Sequence, residues 1–185
     1  REILPFPELD GDRLRVDPTR GRAMGLEVLA KQDRGAWDWS ATYSLSSTES
    51  KIEGEWYPNY WDQRHAFSLT VGFRPSEKWT VTGAWQIHSG WPFTPQRIEF
   101  DTLTVFQGDG LENPLRWREE FGTLNSQRLP AYHRLDLRVT RHFDLGRGSL
   151  EAYLDLFNAY NQMNLRSYDY NVQVIGDDLK WVRHP

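Results

Sequence analysis

Charged side chains recur at alternate positions late in the sequence, Asp136 and Arg138 in one segment and Glu151 and Asp155 in the next. On neighbouring strands this spacing faces carboxylates and guanidinium groups toward one another, so the chemistry it offers is ion pairing along a wet surface. Catalysis has no comparable signature. The five histidines stand at 65, 88, 133, 142 and 184 without HExxH or other ligand spacing, and no nucleophile motif singles out one Ser. Residues 107–113 offer acidic and amide oxygens but lack the repeated acidic positions of a calcium loop, so an ordinary acidic turn is expected. No enzyme activity, metal or cofactor is expected. Binding is the remaining chemistry. Trp91, Phe93, Gln96, Arg97, Phe106 and Arg116 fall in one long link and combine aromatic platforms with donors suited to a small-molecule or glycan ligand. Trp91 and Phe93 suit an interfacial aromatic row equally well. Asp62 with Arg64, and Asn158 with Asn161, stand at segment ends where a charge pair and an amide cluster would fix the bases of loops.

The elements that must position these residues are strands. Residues 66–73 place Phe67, Leu69, Val71 and Phe73 on one face and Ala66, Ser68, Thr70 and Gly72 on the other. The same alternation runs through 24–30, 37–45, 79–88, 134–143 and 150–156, with Arg141 the single break. Six strands of about ten residues follow, the length a tilted transmembrane strand requires. Links 33–35, 75–77 and 145–148 carry tight hairpin residues. Links 46–63 and 89–131 are long, rich in Pro, Gly, Asn and charge, and without sustained period. Short and long links alternate, as in a barrel with short periplasmic turns and long extracellular loops. Residues 13–16 and 168–174 alternate weakly and are expected to extend strands above the membrane.

Composition narrows the class. Mean hydropathy is -0.71 over 185 residues and no apolar run approaches the roughly 20 residues of a spanning helix, which excludes a helical membrane protein. Cysteine is absent, removing disulfide frameworks and thiolate metal sites. The net charge of -4 is mixed along the chain, so no basic stripe exists to bind nucleic acid. Nine Trp are more than a soluble domain of this size needs, and indole favours membrane interfaces. Trp37, Trp39 and Trp79 stand beside the short turns, whereas Tyr43, Trp56, Tyr57, Tyr60, Trp61, Trp85 and Trp91 lie toward the long links. Two girdles require that division. The fold expected is all-β, an antiparallel up-and-down meander forming a curved open sheet that is a fragment of a transmembrane β-barrel. A soluble β-sandwich binding module competes, its apolar face covered by a second sheet, but it predicts neither mid-strand charges nor two aromatic rows.

Five stretches resemble the TonB-dependent receptors of Gram-negative outer membranes. They are residues 21–27 (GRAMGLE), 62–65 (DQRH), 89–95 (SGWPFTP), 128–138 (RLPAYHRLDLR) and 153–161 (YLDLFNAYN). They occur in the family's order and spacing and span most of the chain from Gly21 to Asn171. The resemblance implies a plugged barrel of the 22-stranded size, of which residues 1–185 would be a single fragment, roughly the last third. The plug domain, the TonB-contacting segment and one inward strand after Pro185 would lie outside it. The implied function is active import of a scarce ligand, siderophore-iron, vitamin or oligosaccharide, with energy delivered by the TonB complex. Outer-membrane lipid and the plug of the same chain would be its partners, and the cell outer membrane its location. A passive porin-like or structural barrel is the alternative.

Overall fold

The computed structural model describes residues 17–101, 116–175 and 178–184. Within them the chain is all-β, with thirteen strands and no helix: β1 (Arg20–Arg34), β2 (Trp37–Ile52), β3 (Glu55–Pro58), β4 (His65–Ser76), β5 (Trp79–His88), β6 (Pro92–Phe93), β7 (Gln96–Asp101), β8 (Arg116–Phe121), β9 (Gln127–Arg128), β10 (Tyr132–Asp144), β11 (Ser149–Leu156), β12 (Asp169–Ile175) and β13 (Asp178–His184). Six long strands make one antiparallel sheet in the order β1-β2-β4-β5-β10-β11, so each pairs with the long strand next in sequence. This is the expected meander. The sheet is open, with β1 and β11 at its edges.

Residues directly opposite in an antiparallel pair share a face, and the register therefore decides whether the six alternations cooperate. They do. One row runs Ala30, Ala41, Leu69, Trp85, Leu135, another Trp39, Val71, Gly83, Leu137, Leu156, and a third Trp37, Phe73, Val81, Val139, Leu154. The apolar sets of all six strands thus fuse into one continuous face. Ser40, Thr70, Ala84, Asp136 and their neighbours lie on the other. A one-residue slip in any pair would split the apolar face, so the pattern itself fixes the register.

The apolar face has no second layer over it among the described residues. Leu129 is the one buried hydrophobic side chain there, and Leu26, Leu154 and Leu156 are 62%, 73% and 53% exposed. Phe67, Leu69 and Val71 are half-buried in mid-sheet, and the described elements in substantial contact are hydrogen-bonded neighbours. Packing energy therefore resides in lateral contacts. Trp37 stacks on Phe73 at 4.2 Å, and Phe67 meets Trp85 edge-on at 5.8 Å. Arg141, the break in the alternation, lies on this face near the short-turn end. Its guanidinium sits over Trp79 at 4.9 Å and Phe143 at 5.0 Å, which lets the chain carry a cation there.

The hairpins are staggered. Arg34 and Trp37 are the last pair before the first turn, and the row through them meets the second hairpin at Phe73 and Val81, short of its last pair Ser76 and Trp79. The same row meets the third hairpin at Val139 and Leu154, five residues short of its last pair Asp144 and Ser149.

The long links are more ordered than their sequence suggests. Instead of ending near residue 45, β2 continues to Ile52, and it turns through Glu53 and Gly54, at φ 49° and 93°, into β3. The link 89–131 contains the ribbon β6–β9 and the hairpin β7–β8. Residues 168–174 prove to lie mostly in β12, which pairs with β13 as a separate hairpin and not with the main sheet. Residues 13–16 and 107–113 lie outside the described residues.

Candidate functional site

At the long-loop end, side chains from distant segments converge on Asp62, which is 1% exposed. Its Oδ1 accepts the Thr48 amide at 2.6 Å, and its Oδ2 pairs with the Arg128 guanidinium. Arg128 Nη1 also donates to the carbonyls of Asp62, at 2.8 Å, and Gly90, at 3.2 Å. Ser46 Oγ donates to the Gln63 carbonyl at 2.6 Å. Asn125, held at φ 50°, donates Nδ2 to the Pro58 carbonyl at 2.7 Å and its backbone amide to Thr94 Oγ1 at 3.0 Å. One guanidinium therefore ties the base of link 46–63 to both sides of link 89–131. Sequence reasoning paired Asp62 with Arg64. The structure corrects the partner to Arg128, while Arg64 is exposed and uses its carbonyl to accept the Ser46 amide at 3.0 Å.

Gly90 makes that convergence possible. A Cβ there would overlap the Leu129 carbonyl, with the Pro130 carbonyl close behind. Gly90→Ala is expected to destabilise the loop base by about 1–3 kcal/mol through overpacking of backbone that cannot yield. Faster tryptic cleavage within 89–131 is the measurement, and unchanged cleavage would refute the close approach.

A second cluster closes the long-link end of β10 and β11. The Asn158 amide donates to Asp136 Oδ1 at 2.9 Å, Asn158 Nδ2 donates to the Gln162 carbonyl at 3.0 Å, and the Gln162 amide returns a bond to Asn158 Oδ1 at 2.9 Å. Asn158 and Asn161 adopt φ 52° and 54°, which asparagine tolerates better than most residues. The Tyr160 hydroxyl meets His133 Nδ1 at 2.8 Å and accepts Trp85 Nε1 at 3.2 Å. Asn164 bonds both the amide and the carbonyl of His133, imitating a strand neighbour where β11 has already ended. Asn158 builds the cluster with its side chain, Asn161 enters it through its backbone amide, which donates to the Asn158 carbonyl at 2.7 Å, and Tyr160, His133 and Asn164 are further members.

On the polar face, Arg138 and Asp155 are direct cross-strand partners and form a bidentate pair at 2.6 and 2.7 Å. Glu151 pairs at 3.0 Å with His142, which in turn meets Thr80 Oγ1 at 3.1 Å. Asp136 takes Arg134 of its own strand at 2.8 Å in addition to the Asn158 amide. Cross-strand ion pairing was expected of these four; His142 joins them as a partner that charge patterning alone does not mark.

The expected ligand residues that are described are spread over β6, β7, β8 and the residue before β6. Trp91 lies beside His88 at 5.6 Å, and Phe93, in β6, beside Tyr168 at 5.2 Å. Gln96 and Arg97 begin β7, Arg116 begins β8 at its far end opposite Asp101, and Phe106 lies outside the described residues. Among the described residues no group of three His, Cys, Asp or Glu is placed to hold a metal ion, and no helix is long and apolar enough to cross a membrane. No family model, curated protein or solved structure matches the chain. Its function is therefore argued from its faces and loops.

Proposed function

We propose that the chain is part of the wall of an outer-membrane β-barrel, the C-terminal barrel region of a TonB-dependent receptor that imports a scarce ligand. The observation that carries the wall is the continuous apolar face, over which no second layer lies among the described residues. An exposed apolar surface spanning six strands is far larger than a soluble monomer tolerates. The face is also bounded as a slab requires. On β1 it lies between Arg22, which pairs with Glu49 and sits 4.2 Å from the Trp56 ring, and Gln32, whose Oε1 accepts Trp39 Nε1 at 3.2 Å.

The stagger supplies an independent support. Five residues of offset at ~3.3 Å each, set against four strand spacings of ~4.8 Å, make a slope of about 40°. The normal to a membrane surface following the three turns lies at that angle to the strands, within the roughly 35–45° tilt of outer-membrane barrels. At this tilt the interval from Arg22 to Gln32 rises about 25 Å, the height of such a barrel's apolar band. The outer edges of β1 and β11 are unpaired among the described residues, and a barrel removes such edges by further strands.

The receptor reading rests on the resemblance and on where its motifs meet. Asp62, Gly90 and Arg128 belong to three of the five stretches and join at one loop base. Asn158 and Asp136 join two of them at another. In this reading the plug and TonB-contacting segment lie elsewhere in the full-length protein. The test has two parts. Lipids brominated in mid-chain should quench tryptophan fluorescence of the full-length protein in vesicles more weakly after Trp85→Phe, whereas no lipid quenching at all would reject the wall. Deleting the gene should abolish uptake of one iron chelate, vitamin or oligosaccharide, and deleting TonB should do the same. Uptake that persists without TonB would replace the receptor by a passive porin.

A further inference from the structure

Between the 50–52 end of β2, residues 57–61 and the turn at 124–125 lies a shallow depression open to solvent. None of its lining residues is an Asp, Glu, Lys, Arg or His. Tyr60 and Trp61 line it, 42% and 45% exposed, with ring centroids 4.5 Å apart and planes at 89°. Two aromatic surfaces thus stand at right angles, with Tyr57 as a third in the lining.

The polar groups among them are few and fixed. Ser50 Oγ donates to Asn59 Oδ1 at 2.7 Å, which leaves the Asn59 amide hydrogens uncommitted among the described residues. Asn125 spends its Nδ2 on the Pro58 carbonyl, which leaves its Oδ1 as an acceptor. Backbone bonds from the Asn59 amide to the Thr48 carbonyl and from the Asp62 amide to the Asn59 carbonyl, both 2.9 Å, hold the segment in place. Such preorganisation lowers the ordering penalty of binding.

We propose that this depression is a subsite for a neutral sugar unit of an oligosaccharide. A pyranose offers C–H faces for stacking and hydroxyl groups that both donate and accept, which matches aromatic walls with one amide donor and one amide acceptor. Anionic chelates and phosphates call for Arg or Lys, and the lining has neither. The inference rests on the receptor reading only in that it names the imported class and places the depression on the outer side.

The full-length protein in detergent should be titrated with maltohexaose, cellohexaose, mannohexaose and xylohexaose, following tryptophan fluorescence and heat of binding. One of these should bind, with affinity reduced at least tenfold by Trp61→Ala and, separately, by Tyr60→Ala. Heat-modifiable electrophoretic migration of the same samples reports whether each variant is a folded barrel. Normal migration with no hexaose bound, or with binding indifferent to both variants, overturns the subsite and leaves the barrel standing. Binding that depends on Trp61 in a protein whose migration is not heat-modifiable supports the subsite and overturns the barrel.

Discussion

On the proposed barrel wall, Leu137→Arg is expected to destabilise the folded full-length protein in lipid vesicles by about 2–4 kcal/mol, seen as a lowered midpoint in urea refolding titrations. Leu137 lies well inside the apolar face of β10, four residues from His133 and six from Phe143, and it packs over Gly83. An arginine there would stand roughly 13–20 Å along the strand from either boundary, beyond the reach of its side chain, so snorkelling cannot rescue it. The native Arg141 sets the contrast, since it sits close to the short turn and rests on two aromatic rings. Arg138→Leu changes the adjacent residue on the opposite face. It removes the bidentate pair with Asp155, but an exposed pair contributes little, so its effect should be small beside that of Leu137→Arg. Equal shifts for the two variants would mean that the two faces meet similar surroundings, and the membrane assignment would fail.

That contrast depends on the feature most legible in the sequence. Where one face meets an apolar medium and the other a polar one, selection writes a period of two, and Phe67 to Phe73 or Trp79 to Ile87 carry it without interruption. The order and register of the six strands then follow, because a slip would turn a whole strand inside out. The pattern disappears in the strand segments outside the six-stranded apolar face. From Ser46 to Ile52, β2 reads Ser-Ser-Thr-Glu-Ser-Lys-Ile, and β7 and β8 carry Arg97 and Glu99 against Glu120 and Arg118. Backbone pairing sustains these strands, and backbone pairing leaves no periodic mark on side-chain type.

The site was legible in part for a related reason. Arg138 and Asp155 could be placed because alternation fixes which residues share a face and opposite charges attract across it. Asn158 could be placed because it stands where the alternation of β11 ends and a loop base needs hydrogen-bonding side chains. The partner of Asp62 could not. Arg128 is 66 residues away and reaches Asp62 through a fold-back of link 89–131 that contains no apolar period. The neighbouring Arg64 was the obvious candidate on sequence distance alone. The aromatic depression was hidden likewise: Tyr57, Tyr60 and Trp61 read as girdle residues until β3 and the 124–125 turn brought amides beside them.

The partnership of Asp62 with Arg128 carries the second large effect, and it should be asymmetric. Arg128→Ala leaves a carboxylate that is 1% exposed without its cation, and stranding a buried charge costs about 3–5 kcal/mol. Asp62→Ala strands the guanidinium instead. That group is 31% exposed and keeps two carbonyl acceptors, so the loss should be about half as large. Because the pair ties loops and not the sheet, the penalty is limited by the free energy of opening those loops locally. It should therefore appear as faster hydrogen exchange at the Thr48 amide, which Asp62 Oδ1 accepts at 2.6 Å, and as cleavage within 46–63 and 89–131, with the sheet still protected. The double variant Asp62→Ala with Arg128→Ala removes both charges and should recover part of the protection lost in Arg128→Ala. If Arg128→Ala and Asp62→Ala open the loops equally, or the double variant is the sum of the singles, the buried pair is not what holds the loop base closed.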